Sequence, residues 1–148
     1  MRTLGALAIL VLSVAGSGCA PKPEPVATDA RGEVTVPVGQ SFRLGYGKEA
    51  MLAGGNLRIR FDTVSEDSRC PGGKIQCVWA GNARVVLQLS AGGQPAARDT
   101  VSLSLEPRTV TYDGYLIHLD DLQPAPTSEE HPRPESYVAT LTVTRRGG

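Results

Sequence analysis

The chain has 148 residues with 15 basic and 15 acidic side chains, and its aromatics are limited to four Tyr, two Phe and one Trp. Balanced charge of interspersed sign excludes the basic footprint that nucleic acid requires, and offers none for an anionic membrane surface. Removing residues 1–18 leaves 130 residues, 14 basic against 15 acidic, enough for one domain whose core must rest mostly on Val, Leu and Ile.

The first 18 residues read as an export signal. Arg2 supplies a positive start, and residues 4–15 form an uncharged apolar run. Such a run suits a secretory signal and is too short for a bilayer span, which needs about 20 residues. Gly16, Ser17 and Gly18 then lead into Cys19. This stretch resembles the bacterial lipobox, in which small residues admit the signal peptidase beside a cysteine carrying diacylglycerol. Gly16 departs from the pattern, which prefers an aliphatic residue there. The resemblance implies a palmitate-type lipid anchor on Cys19. Ala20, in place of Asp, implies the periplasmic face of the outer membrane if the host has two membranes.

Residues 19–32 follow as an expected tether. Pro21, Pro23 and Pro25 alternate with small and charged residues that cannot bury much surface. A domain is expected over residues 33–145, with a short tail at 146–148. Its pattern has period two throughout, with no sustained helical stretch. Weaker strand signals lie at residues 34–36, 42–44 and 49–52. Stronger alternation follows at Leu57, Ile59 and Phe61, at Val85, Leu87 and Leu89, and at Val101, Leu103 and Leu105. It continues at Tyr115, Ile117 and Leu119, and at Tyr137, Ala139, Leu141 and Val143. Glycine-rich breaks separate these runs, and Asp113-Gly114 between two tyrosines is a two-residue hairpin signal. Seven to nine short strands with frequent turns predict a single all-β domain, an antiparallel β-sandwich. The expected core faces carry Ile59, Phe61, Val85, Leu87, Leu103, Ile117, Leu119, Leu141 and Val143.

With Cys19 lipidated, Cys70 and Cys77 remain, and an exported setting permits a disulfide. The six intervening residues are turn-rich, so the sulfurs can meet, at a gain of ~2.5 kcal/mol from loop closure. Six residues are too many for a C-x-x-C redox pair, and no second ligand pair supports structural zinc. The pair lies within Asp67-Ser68-Arg69-Cys70-Pro71 and Cys77-Val78-Trp79-Ala80-Gly81. This resembles the D-S-R-C-P…C-x-W-A-G signature of a family of small exported bacterial proteins, often predicted lipoproteins. The resemblance runs more loosely through Tyr115 to Pro124 and through Tyr137 to Val143, and implies no established activity. The motif itself reads as a braced Ω-like loop, with Asp67 and Arg69 pairing with each other or with loop backbone, and Gly81 permitting a bend. Trp79 is expected against the disulfide or over the end of the sandwich.

No G-x-S-x-G elbow, H-E-x-x-H pair or phosphate-binding glycine loop is present, and the chain is expected to be neither an enzyme nor a cofactor carrier. Three binding readings remain. The first is a membrane-anchored module that holds a protein or polysaccharide partner at the envelope, using Arg69, Lys74, Ile75 and Trp79 on the stiff loop. The second is an exported protease inhibitor that uses the Cys70–Cys77 loop. The third is a periplasmic metal site built from His118 and His131 with Asp120, Asp121, Glu129 and Glu130.

Overall fold

The computed structural model describes residues 27–28, 34–72, 76–127 and 130–147. The export signal, Cys19, most of the tether, Lys74, Ile75 and Glu129 lie outside the described residues. The strands in chain order are β1 (Ala27–Thr28), β2 (Val34–Val36), β3 (Ser41–Gly45), β4 (Glu49–Leu52) and β5 (Arg58–Asp67). They continue with β6 (Ala83–Ser90), β7 (Ala97–Ser102), β8 (Thr109–Tyr112), β9 (Tyr115–Gln123) and β10 (Val138–Arg145). Nine of these have three or more residues. The tenth, β1, falls in the segment expected as tether and pairs Ala27 with Thr35 and Thr28 with Val34.

Two sheets result, one ordered β1-β2-β4-β5-β6-β7 and the other β3-β10-β9-β8. All pairings are antiparallel except β2 with β4, and the fold is the expected all-β sandwich. One sheet contributes Val36, Leu52, Ile59, Phe61, Leu87 and Val101 to the core. The other contributes Phe42, Leu44, Ile117, Leu119, Leu141 and Val143. Eight of the nine expected core residues are fully buried, and Leu103 packs against the core while partly exposed. Its run is shorter than the alternation predicts. β7 stops at Ser102, whose N–H donates to Pro107 O at 2.7 Å, and Leu105 turns outward, 57% exposed.

Asp113 and Gly114 both adopt positive φ, 47° and 77°, and close the β8–β9 hairpin. Positive φ at both central residues suits the right-handed twist of the flanking strands. A bulge in β9 follows. Thr140 faces Asp121 but Leu141 faces Leu119, which leaves Asp120 as the additional residue. Alternation therefore changes phase after Leu119, and Leu122 points into the core.

Register also orients the domain. Ala27 lies opposite Thr35, Thr35 opposite Met51, and Met51 opposite Arg58, the first residue of β5. The described chain therefore enters at the end of the sandwich where β5 begins. The loop with the cysteines leaves from the other end, where β5 finishes. The ten residues of β5 separate these ends by roughly 30 Å, at ~3.3 Å per residue.

Phe61 is the largest fully buried side chain, and its ring meets that of Tyr46 edge-on at 5.8 Å. Phe61→Ala is expected to destabilise the domain by about 3–5 kcal/mol, read as a lowered urea midpoint at unchanged slope.

Candidate functional site

β5 ends in Asp67, and the chain then turns out of the sheet through Ser68 and Arg69 into the cysteine loop. Cys70 and Cys77 form the disulfide, with Cα atoms 5.9 Å apart. Backbone pairing continues along the neck of the loop. Ser68 N–H donates to Asn82 O at 2.7 Å, and Cys70 N–H to Ala80 O at 2.9 Å. The Ser68 hydroxyl accepts from Asn82 N–H at 3.2 Å. Asn82, itself buried, accepts from Ser104 N–H at 2.9 Å through Oδ1 and so ties the loop after β7 to the same neck. Gly81 has φ +71°, and a Cβ there would sit 1.9 Å from Ser68 O. Only glycine fits where the two limbs cross.

Arg69 is turned into the fold. Its Nη2 donates to Asp67 Oδ2 at 2.7 Å and its Nε to Asp67 Oδ1 at 2.8 Å, a bidentate pair. The same guanidinium donates to Leu122 O and, at 2.8 Å, to Pro124 O. The Tyr137 hydroxyl donates to Asp67 Oδ2 at 2.8 Å. The Arg69 and Asp67 side chains retain 10% and 6% of their exposure. Arg69, expected in a partner-binding set, is largely covered by these contacts. Its donors are used in tying the end of β5 to the end of β9 and the start of β10.

The electrostatics follow from these contacts. Burial would raise the Asp67 carboxyl, but the Arg69 and Tyr137 hydrogen bonds and the Arg69 charge outweigh it and hold it below its ordinary value of 3.8. Burial, the Asp67 hydrogen bond and the Asp67 charge push Tyr137 up to about 12. Burial works against the Arg69 charge, and Asp67 more than compensates.

The remaining loop residues behave differently. Trp79 does not cover the disulfide or the end of the sandwich; it is 84% exposed, and Val78 is fully exposed. The loop meets a second one where Gly72 N–H donates to Pro126 O at 3.0 Å. That second loop, between β9 and β10, forms an open hollow of about 490 Å³ lined by Thr127, Glu130, His131, Arg133, Glu135 and Ser136. His131 lies there, and His118 does not. On β9, His118 Nε2 is 3.8 Å from Asp120 Oδ1, and its Nδ1 is 3.2 Å from the Thr109 hydroxyl. Asp120 also accepts from the Thr142 hydroxyl. Among the described residues no three His, Cys, Asp or Glu side chains converge to hold a metal ion.

No family model, curated protein or solved structure matches this chain.

Sequence reasoning anticipated the Asp67–Arg69 pair and the need for Gly81. It missed Tyr137 as the third member. The available signal was that a buried Tyr hydroxyl requires a partner.

Asp67→Asn leaves a buried guanidinium without its counter-charge and is expected to cost about 3–5 kcal/mol. The pH dependence carries a sign. A depressed Asp67 stabilises the fold above pH 3.8, and that contribution disappears as pH falls through the folded value. The raised Tyr137 stabilises below its ordinary 10.0 and is lost as pH rises towards about 12. Urea midpoints measured against pH are expected to lose their acid limb in Asp67→Asn and their alkaline limb in Tyr137→Phe.

Proposed function

We propose that the chain is an exported lipoprotein whose sandwich is a non-catalytic binding module at the cell envelope. The lipid on Cys19 holds it to the membrane, and the disulfide loop presents Val78 and Trp79 to a protein or polysaccharide partner. One observation carries this reading: the largest apolar side chain of the loop stands 84% exposed on a loop whose neck is closed by backbone hydrogen bonds. Val78 and Trp79 are exposed side by side, and Trp is among the residues that concentrate binding energy at interfaces. A loop already braced by a disulfide loses little freedom on docking.

The orientation agrees with the anchor. The described chain enters at the end opposite the loop. The seven residues between Cys19 and Ala27 reach at most ~28 Å, so the end opposite the loop is the one held near the anchoring bilayer.

Intact mass of the protein purified from bacterial membranes is expected to show cleavage before Cys19 with a thioether-linked lipid, and Cys19→Ser is expected to abolish that modification. An unmodified chain cut elsewhere would refute the anchor. Val78→Ser with Trp79→Ala is expected to leave the urea midpoint within about 0.5 kcal/mol of the native value. The same variant is expected to eliminate crosslinks formed in intact envelopes from a photoreactive residue placed at position 76. Unchanged crosslinks would refute the loop as the binding surface.

A further inference from the structure

At the end where the described chain enters, three segments surround an open cleft of about 490 Å³. The β4–β5 turn contributes Gly54 and Gly55, the β8–β9 hairpin contributes Asp113, and the end of β10 contributes Arg145 and Arg146. The segments that carry them are held in place. The Arg145 guanidinium carbon lies 5.5 Å from the centroid of the Tyr115 ring. Tyr115 is itself wedged against Gly55, where an added Cβ would meet its hydroxyl at 2.9 Å. Arg146 N–H donates to Gly114 O at 2.8 Å, which fastens the end of β10 to the hairpin and leaves the guanidinium exposed.

Among the described residues neither arginine forms an ion pair with Asp113. Two cations and one anion thus share a cleft without neutralising one another. An anionic ligand would satisfy the arginines and leave Asp113 opposed. A cationic ligand would do the reverse. A group bearing a phosphate and, a few bonds away, an ammonium with N–H donors satisfies all three.

We infer that this cleft holds a phosphoethanolamine headgroup, its phosphate against Arg145 and Arg146 and its ammonium against Asp113. Overall neutrality of the chain does not oppose this, because the ligand is zwitterionic. The location fits a lipid source. β1, which leads back towards Cys19, lies two strands from β4 and so about 10 Å to the side of it. The membrane placement rests on the lipoprotein reading; the chemistry of the cleft does not.

The test is titration of the full-length protein in detergent with glycerophosphoethanolamine, followed by calorimetry and by the NMR signals of the arginine side chains. Saturable binding is expected, with both Arg145 and Arg146 signals shifting. Arg145→Gln with Arg146→Gln is expected to weaken it roughly tenfold. Arg146→Gln alone, which spares the stack on Tyr115, is expected to weaken it roughly three- to fivefold at an unchanged urea midpoint. Asp113→Asn is expected to weaken glycerophosphoethanolamine by a similar factor, and glycerophosphocholine, which lacks N–H donors, is expected to bind the native protein correspondingly less well. Absence of saturable binding would overturn the proposal. So would inorganic phosphate binding as tightly as glycerophosphoethanolamine with Asp113→Asn silent, the signature of a plain anion site. A chain that binds glycerophosphoethanolamine but carries no lipid on Cys19 would refute the anchor and leave the cleft standing.

Discussion

The Arg69 guanidinium fastens the two sheets together at one end of the sandwich. Across the core the sheets meet through apolar side chains, which attract without direction and tolerate sliding. Arg69 supplies direction. It spans Asp67 on the last residue of β5, the carbonyls of Leu122 and Pro124 at the end of β9, and, through Asp67, the Tyr137 hydroxyl before β10. Removing any one member exposes the others to desolvation without compensation, so the cluster is effective only when complete. A core this poor in aromatics benefits most from such a clasp. The same cluster sets where β5 stops and where the cysteine loop departs.

The strand pattern explains how Asp67 comes to face inward. Ile59 and Phe61 alternate inward as the sequence suggests. Two bulges follow, with Asp62 and Ser65 as the additional residues, so the inward positions become Val64 and Asp67. Strict alternation from Phe61 would place Thr63 and Ser65 inward and reach Asp67 correctly for the wrong reason. Each bulge reverses the phase, and two of them restore it. The odd–even reading therefore located the core residues before the bulges and lost the path between them. The β9 bulge has the same effect at Leu122, which no period-two reading of that segment reaches. Bulges answer to pairing across the sheet, and a single sequence does not display its pairing.

Legibility of the loop divides along similar lines. The disulfide and the Asp67–Arg69 pair were readable because each depends on neighbours close in the chain, and the glycine at position 81 because a bend after Trp79 calls for one. Arg69 as a clasp was not, since Leu122, Pro124 and Tyr137 lie more than fifty residues away. Trp79 failed in the opposite direction. Its size predicts burial against the disulfide, yet the neck is already closed by Ser68, Asn82, Cys70 and Ala80 through the backbone. With the crossing at Gly81 too tight for any side chain, the tip carrying Trp79 is left outside the packed end.

These constraints make the two ends of the sandwich unlike each other for physical reasons. At the loop end the contacts of Asp67, Ser68 and Arg69 are internal, and among the described residues the large apolar side chains left exposed there are Val78 and Trp79. At the opposite end the strands close with short glycine turns that have no side chains to cover them. Charged groups from β10 and from the β8–β9 hairpin therefore remain in water. On the proposed reading, an apolar tip held far from a lipid on Cys19 and a zwitterionic cleft beside that lipid would divide the labour of a tethered module. One end would then read a partner while the other fixed the stance from which it reads.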